Sequence, residues 1–122
     1  MNLVEKIVAL EKEAAEFGFE WETAGQIMDQ IQSECMEVSE HLVTDNRNDL
    51  QEEIGDLMHA VFSLCVFCKL DPMETLQLTT QKFERRLREV IKITKENKLE
   101  NVKGQSFEEL MVIWKQAKKR VG

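Results

Sequence analysis

The sequence predicts an all-α fold, a small bundle of about five helices with a central antiparallel helix hairpin and paired subunits. Apolar residues recur at steps of three and four, which is the period of an amphipathic helix. The 122 residues include one Pro and five Gly, so few positions interrupt a helix. Hydrophobic residues make up 43% and charged residues 32%, which is typical of a folded chain and here indicates one domain over 1–122.

The first two predicted helices are separated by Phe17-Gly18-Phe19. The first helix runs from about Asn2 to Glu16, and its apolar positions are Leu3, Val4, Ile7, Val8 and Leu10. The second runs from about Thr23 to Val43, with an apolar stripe of Ile27, Ile31, Cys35, Val38 and Leu42. A polar turn from Thr44 to Asn48 follows and predicts a hairpin with the third helix.

The third predicted helix is apolar on two sides. It runs from about Asp49 to Lys69, and one stripe comprises Leu50, Ile54, Leu57, Val61, Leu64 and Cys68. Its second half carries further apolar residues on the opposite side, namely Met58, Phe62 and Val66. A small bundle cannot cover both sides of one helix, so this pattern predicts a subunit interface.

Capping residues define the last two helices. Asp71, Pro72 and Glu74 are suited to the N-cap, first and third positions of a helix that continues to about Asn97. Residues 98–105, which include Gly104, form a predicted loop. A capping box at Ser106-Phe107-Glu108-Glu109 opens a fifth helix that ends near Arg120.

Charge and hydropathy exclude several classes of protein. The net charge of −7 argues against a nucleic-acid binder, since such proteins usually carry a basic surface. The longest apolar run, Leu57 to Cys68, is too short for a membrane span. No basic segment followed by an apolar one opens the chain, and the three cysteines are an odd number. We therefore expect a cytoplasmic protein with reduced thiols.

Two pairs of acids, Glu34-x-x-Glu37 and Glu53-x-x-Asp56, stand out on the hairpin helices. Residues three apart lie on nearly the same side of a helix, and both pairs flank their apolar stripe. Counting from the turn at about 1.5 Å per residue brings the two pairs to nearly the same height. Four carboxylates at one level repel each other unless a cation joins them, and oxygen ligands favour Mg²⁺ or Mn²⁺ over zinc.

Two alternatives to this metal site remain open. The four acids could be ordinary surface residues in a chain that has 23 acids. Asp56-x-x-His59, together with Glu37 and His41, could instead belong to a di-iron carboxylate bundle. Such bundles place an acid-x-x-His pair on two helices, whereas only one helix has such a pair here.

The order and spacing of several segments together resemble the MazG family of nucleoside triphosphate pyrophosphohydrolases. Besides the two acidic pairs, the resemblance rests on Phe17 to Trp21, Glu52 to Leu57, Leu70-Asp71-Pro72, Lys82 to Arg86, and Gly104 through Trp114 to Lys118. The resemblance implies an all-α bundle in which subunits pair, as a homodimer or homotetramer. It also implies that nucleoside triphosphates are hydrolysed to monophosphate and pyrophosphate, with Mg²⁺ as cofactor.

The resemblance also implies residue roles. Glu34, Glu37, Glu53 and Asp56 match the family's magnesium ligands and are the expected catalytic residues. Lys82, Arg85, Arg86, Trp114 and Lys118 match its nucleotide-contacting positions. The sequence departs from the family pattern near the first ligand, where Gln30 replaces a basic residue and Ser33 replaces an acid.

Simpler interpretations of the remaining features also exist. Lys82, Arg85 and Arg86 could form a solvated basic face paired with Glu89, and Trp114 could be a core aromatic residue. Cys65-x-x-Cys68 lies within an apolar helix and indicates core cysteines. The rival to an enzyme is a non-catalytic helical interaction module that retains the fold.

Overall fold

The computed structural model describes all residues from Met1 to Gly122 and contains five α-helices and no strands. The helices are α1 (Leu3–Phe17), α2 (Ala24–Leu42), α3 (Arg47–Phe67), α4 (Pro72–Glu96) and α5 (Phe107–Val121). The predicted all-α class and number of helices are confirmed. No helix combines the length and the apolar character that a membrane span requires.

Local side-chain bonds set where the helices begin. The Thr23 hydroxyl accepts from Gln26 N, and Gln26 Oε1 accepts from Thr23 N, so a capping box opens α2. The predicted caps of the last two helices are present, because Asp71 accepts from Glu74 N and Ser106 accepts from Glu109 N. Gly18 ends α1 with a φ of 99°, which glycine adopts without strain.

The chain divides into two compact units, Met1–Thr75 and Leu76–Gly122. In the first unit, α2 and α3 form the predicted hairpin and make its most extensive helix contact. Four residues, 43–46, join these two helices. The prediction of a single domain over 1–122 stays a prediction.

The buried residues of the first unit are few and partly polar. Ile27 and Ala60 are buried, but so are Glu34 and Ser63. A buried carboxylate is costly unless hydrogen bonds or an opposite charge compensate it. The interior of this unit therefore contains a polar group that must have a specific partner.

Helix α1 is attached to α3 through one acidic side chain. Glu11 Oε1 accepts from Ser63 Oγ at 2.6 Å and lies 2.8 Å from His59 Nε2. No residue of α1 is fully buried, and α1 packs on α3 over a smaller surface than α2 does. Glu11 is thus a principal polar link between α1 and the hairpin.

The exposed apolar side of α3 is not the predicted one, which was Met58, Phe62 and Val66. Ile54, Met58 and Val61 are 41%, 55% and 43% exposed, whereas Phe62 and Val66 are half-buried. The buried residues of α3 are the small Ala60 and Ser63, which allow a neighbouring helix to approach. We call Ile54, Met58 and Val61 the exposed α3 stripe.

The second unit has its own apolar core. Ile93 of α4 packs with Ile113 and Ala117 of α5, and Val90 and Val102 cover this cluster. Across the two helices, Arg120 of α5 bonds the carboxylates of Glu89 and Glu96 on α4. These contacts hold α4 and α5 together at their interacting faces.

Candidate metal centre

Three of the four predicted ligands meet between the hairpin helices. Glu34 and Glu37 lie on α2 and Glu53 lies on α3, and one carboxylate oxygen from each lies within 4.8 Å of the other two. Asp56 is exposed and does not join this group, although its negative charge acts on Glu53. We call Glu34, Glu37 and Glu53 the carboxylate cluster.

Two oxygens of the cluster are buried without a hydrogen-bond partner, namely Glu34 Oε2 and Glu53 Oε2. The Glu34 residue is only 9% exposed. Its other oxygen, Oε1, accepts a bond of 2.6 Å from Gln30 Nε2. Buried acceptors without a donor are rare in folded proteins, and a cation is one of the few partners that satisfies two of them at once.

The cluster retains a proton near neutral pH when no cation is bound. Two ionised carboxylates can only accept, so Glu37 and Glu53 share a hydrogen bond only if one of them is protonated. The hydrogen bond that protonated Glu53 donates to Glu37 is the main reason why the pKa of Glu53 is raised from 4.5 to about 7. Desolvation and the charges of Glu37 and Asp56 act in the same direction.

Neither histidine belongs to the carboxylate cluster. His41 Nδ1 bonds the backbone carbonyl of Glu37 at 2.8 Å, which is the main cause of the raised pKa of His41. His59 faces Glu11 on α1 instead. The grouped donors are therefore carboxylate oxygens only, which does not fit the Glu-x-x-His pattern of a di-iron bundle.

The chemistry of the donor set fits a hard divalent cation. Carboxylate oxygens on two rigid helices are the ligands that Mg²⁺ and Mn²⁺ prefer. A cation here would satisfy the two orphaned oxygens and remove the mutual repulsion of the acids. The alternative of ordinary solvated acids does not account for a carboxylate as buried as Glu34.

The predicted nucleotide-contacting residues lie in the second unit. Lys82, Arg85 and Lys118 are exposed, and Arg86 and Trp114 are half-buried. The Trp114 ring is 6.2 Å from the Phe83 ring between centroids, at an interplanar angle of 56°. Trp114 is thus neither a core residue nor an isolated surface residue.

Both arginines also contact the C-terminal end of α5. Arg85 Nε donates to the carbonyl of Val121 at 3.3 Å, and Arg86 Nε donates to that of Gly122 at 3.0 Å. The suggested pairing of this basic group with Glu89 is wrong, because Glu89 bonds Arg120 at 3.0 Å. Lys82 has no ion pair.

Sequence reasoning did not assign roles to Gln30 or Glu11. Gln30 stood out only as a departure from a family pattern, although its spacing of four residues from Glu34 was a usable signal. Glu11 gave no such signal, because its partners lie about fifty residues away in sequence. Cys65 is half-buried, but Cys68 is exposed, so the prediction of core cysteines is wrong for Cys68.

The chain is all-helical and groups three carboxylates on a helix hairpin, an arrangement that a divalent cation would fit. A family model described as "MazG nucleotide pyrophosphohydrolase domain" matches residues 22–91, which is more than half of the chain. The chain belongs to the MazG family. The match includes α2, α3 and the whole carboxylate cluster.

Curated relatives agree with this assignment. The chain is 34% identical over 114 residues to a nucleoside triphosphate pyrophosphohydrolase of Escherichia coli (strain K12), covering 91% of this chain and 43% of that protein. It is 27% identical over 109 residues to "Nucleoside triphosphate pyrophosphohydrolase/pyrophosphatase MazG" of Thermotoga maritima, covering 89% and 41% respectively. The chain therefore spans less than half the length of the relatives it matches.

Proposed function

We propose that this chain hydrolyses nucleoside triphosphates to nucleoside monophosphate and pyrophosphate in the presence of Mg²⁺, which Mn²⁺ can replace. The observation that carries the proposal is the pair of buried, unpartnered oxygens on Glu34 and Glu53. They lie within a cluster of three carboxylates in a chain of the MazG family. The proposed reaction is the one for which the relatives from Escherichia coli and Thermotoga maritima are named.

The reaction adds one water molecule to the α-phosphorus. It breaks the bond between the α-phosphorus and the oxygen that bridges to the β-phosphate, so that pyrophosphate leaves. A bound Mg²⁺ would offset the charge of the phosphate oxygens and lower the pKa of a water molecule. Glu34, Glu37 and Glu53 would hold the cation, and Asp56 would complete the set as the exposed fourth acid. The helices fix these carboxylates before substrate arrives, which limits the cost of ordering them.

Positive side chains are needed as well, because a chain with a net charge of −7 repels a triphosphate. We assign phosphate contact to Lys82, Arg85, Arg86 and Lys118, and base or sugar contact to Trp114. Lys82 and Lys118 are exposed and have no ion pair that competes for a phosphate. Trp114 presents a half-buried ring, which suits stacking against a flat ligand.

We propose further that the chain acts as a homodimer or homotetramer. The exposed α3 stripe consists of residues spaced by four and three, so it is continuous along one side of the helix. Folded monomers seldom leave such a stripe uncovered, and many other large apolar residues are exposed as well. A second copy of this chain would cover the stripe.

A panel of nucleoside triphosphates, assayed for pyrophosphate with Mg²⁺ and with a chelator, tests the activity. We expect pyrophosphate and monophosphate in equal amounts, and only when the cation is present. The Glu53→Gln variant should be inactive, while Glu52→Gln, which alters the neighbouring exposed acid, should retain activity. Absence of turnover with every nucleotide, by a protein that binds the cation, would favour the non-catalytic interaction module.

A further inference from the structure

The hydrogen bond between Gln30 and Glu34 lies beside the carboxylate cluster. The two residues are one helical turn apart on α2, and the bond from Nε2 to Oε1 is 2.6 Å long. Gln30 is half-buried and Glu34 is 9% exposed, so little water competes for this bond. A hydrogen bond to an ionised acceptor in such surroundings is strong and directional.

This bond makes the two oxygens of Glu34 unequal. Oε1 is occupied by the amide of Gln30, and Oε2 is the buried atom that has no partner. The terminal torsion of a glutamate is broad, so the side chain alone does not fix the plane of its carboxylate. The amide therefore fixes the carboxylate plane and leaves Oε2 available to a cation.

The donor is also neutral. A lysine at position 30 could donate a similar bond but would place a positive charge next to the cluster, where it would repel a cation. The glutamine orients Glu34 without reducing the negative charge of the cluster.

We propose that Gln30 is a positioning residue for the metal site, which directs Glu34 Oε2 towards the cation through a neutral donor. This inference rests on the proposed metal site. Loss of residues that support a metal ligand in this way typically weakens metal affinity about 10–100-fold. The effect should appear in cation binding, before any nucleotide is added.

The test measures Mn²⁺ binding to the full chain by electron paramagnetic resonance, at about pH 8, where the Glu53 carboxyl is ionised in the folded chain. Gln30→Met keeps the length and helix preference of the side chain but removes the donor. We expect it to bind Mn²⁺ about 10–100-fold more weakly. Gln32→Met is the matched control on the exposed side of α2 and should bind like the wild type.

A second variant separates orientation from charge and remains informative if Gln30→Met is unstable. Gln30→Lys retains a donor for Glu34 and places a positive charge beside the carboxylate cluster. Because this charge offsets the repulsion among the acids, we expect a higher melting temperature than that of the wild type without metal. Its positive charge should nevertheless weaken Mn²⁺ binding by about tenfold. A structural role alone would lower the melting temperature of Gln30→Met and leave the Mn²⁺ affinity of both variants unchanged.

The outcomes distinguish this inference from the metal site on which it rests. Wild-type affinity in Gln30→Met would overturn the positioning role while leaving the site intact. Wild-type affinity in Gln30→Lys would overturn the importance of a neutral donor. If the wild-type chain itself binds no Mn²⁺, both the site and the role of Gln30 are wrong.

Discussion

The guanidinium carbon of Arg86 lies 5.7 Å from the centroid of the Trp114 ring, which is cation–π distance. The same side chain donates to the carbonyl of Gly122. Arg86 is therefore fixed by two contacts within its own unit, whereas Lys82 is exposed and has no ion pair. Although the two residues lie one turn apart on α4, we expect different consequences when they are replaced.

Lys82→Ala should reduce kcat/KM about tenfold or more with little change in melting temperature, because a phosphate contact is worth about 1.5–3 kcal/mol. Lys92→Ala, which removes an exposed lysine from the same helix, is the control. Steady-state kinetics and thermal melts on both variants check this. Unchanged kinetics for Lys82→Ala would show that this nucleotide contact does not hold in this chain.

Arg86→Ala should lower both kcat/KM and stability, since it loses the contact with Trp114 and the bond to Gly122. We expect about 1–3 kcal/mol of destabilisation by chemical denaturation. Arg86→Lys keeps the charge but not the planar stacking surface, so it should recover less than full stability. Equal stability of all three proteins would contradict the structural part of this role.

Glu53→Gln should abolish most activity and stabilise the metal-free chain above neutral pH. The amide can donate to Glu37, which relieves the repulsion within the carboxylate cluster. The loss of activity should exceed the roughly 10–100-fold typical of a residue that merely supports a metal ligand. Turnover and melting temperature in chelator, measured beside Glu52→Gln, test both parts. A large drop in metal-free stability would count against a metal-binding role.

The metal-free chain should become less stable as the pH rises from about 4.5 to about 7. The pKa of Glu53 is raised from 4.5 to about 7, so in this range the folded chain binds more protons than the unfolded chain. The raised pKa of His41 acts with the same sign at higher pH, above 6.5. Melting temperatures in chelator across this range should fall, and Glu53→Gln should flatten the slope.

Mg²⁺ affinity should follow the opposite trend and increase as the pH rises through about 7, because cation and proton compete for the same carboxylate. Calorimetry in buffers of different ionisation enthalpy would detect the proton released on binding below this pH. A pH-independent affinity would show that Glu53 is not a ligand.

The sequence predicted the helices well because their signals are local. Apolar periodicity and caps such as Ser106 act within one or two turns, and four of the five helices begin and end within one residue of the expected positions. Helix α3 begins earlier, at Arg47 and not Asp49. The Asn46 side chain accepts from Asp49 N and so draws part of the predicted turn into the helix.

The candidate site was predicted less completely. Spacing along two antiparallel helices sufficed to group Glu34, Glu37 and Glu53, because helical rise fixes their height. Spacing does not fix how each helix is rotated about its axis, which decides that Glu34 is buried while Asp56 is exposed. The same rotation exposes Ile54 and Val61, which the pattern had placed in one stripe with the half-buried Leu57.

Glu11→Ala should destabilise the chain by about 1–3 kcal/mol, since it leaves the buried Ser63 hydroxyl without its acceptor. Ser63→Ala in the same background should restore part of this loss, because no unsatisfied hydroxyl then remains. Denaturant unfolding of the single and double variants measures the coupling. The neighbouring exposed acid provides the control, Glu13→Ala, which should be neutral. Additive effects of the two substitutions would mean that the bond contributes nothing to attaching α1.

The exposed α3 stripe should determine the oligomeric state. Light scattering at micromolar concentration should give a dimer or tetramer of the 14.2 kDa chain. Met58→Lys places a charge at the middle of the stripe, where the side chain is 55% exposed in a single chain. A lysine is readily accommodated in a monomer at such a position, but burying it without a partner in an interface is costly. We therefore expect this variant to be monomeric with its helical content retained.

Glu52→Lys changes charge on the opposite side of α3 and should leave the assembly intact. A monomeric wild type, or an unchanged assembly in Met58→Lys, would mean that this stripe is not the subunit interface.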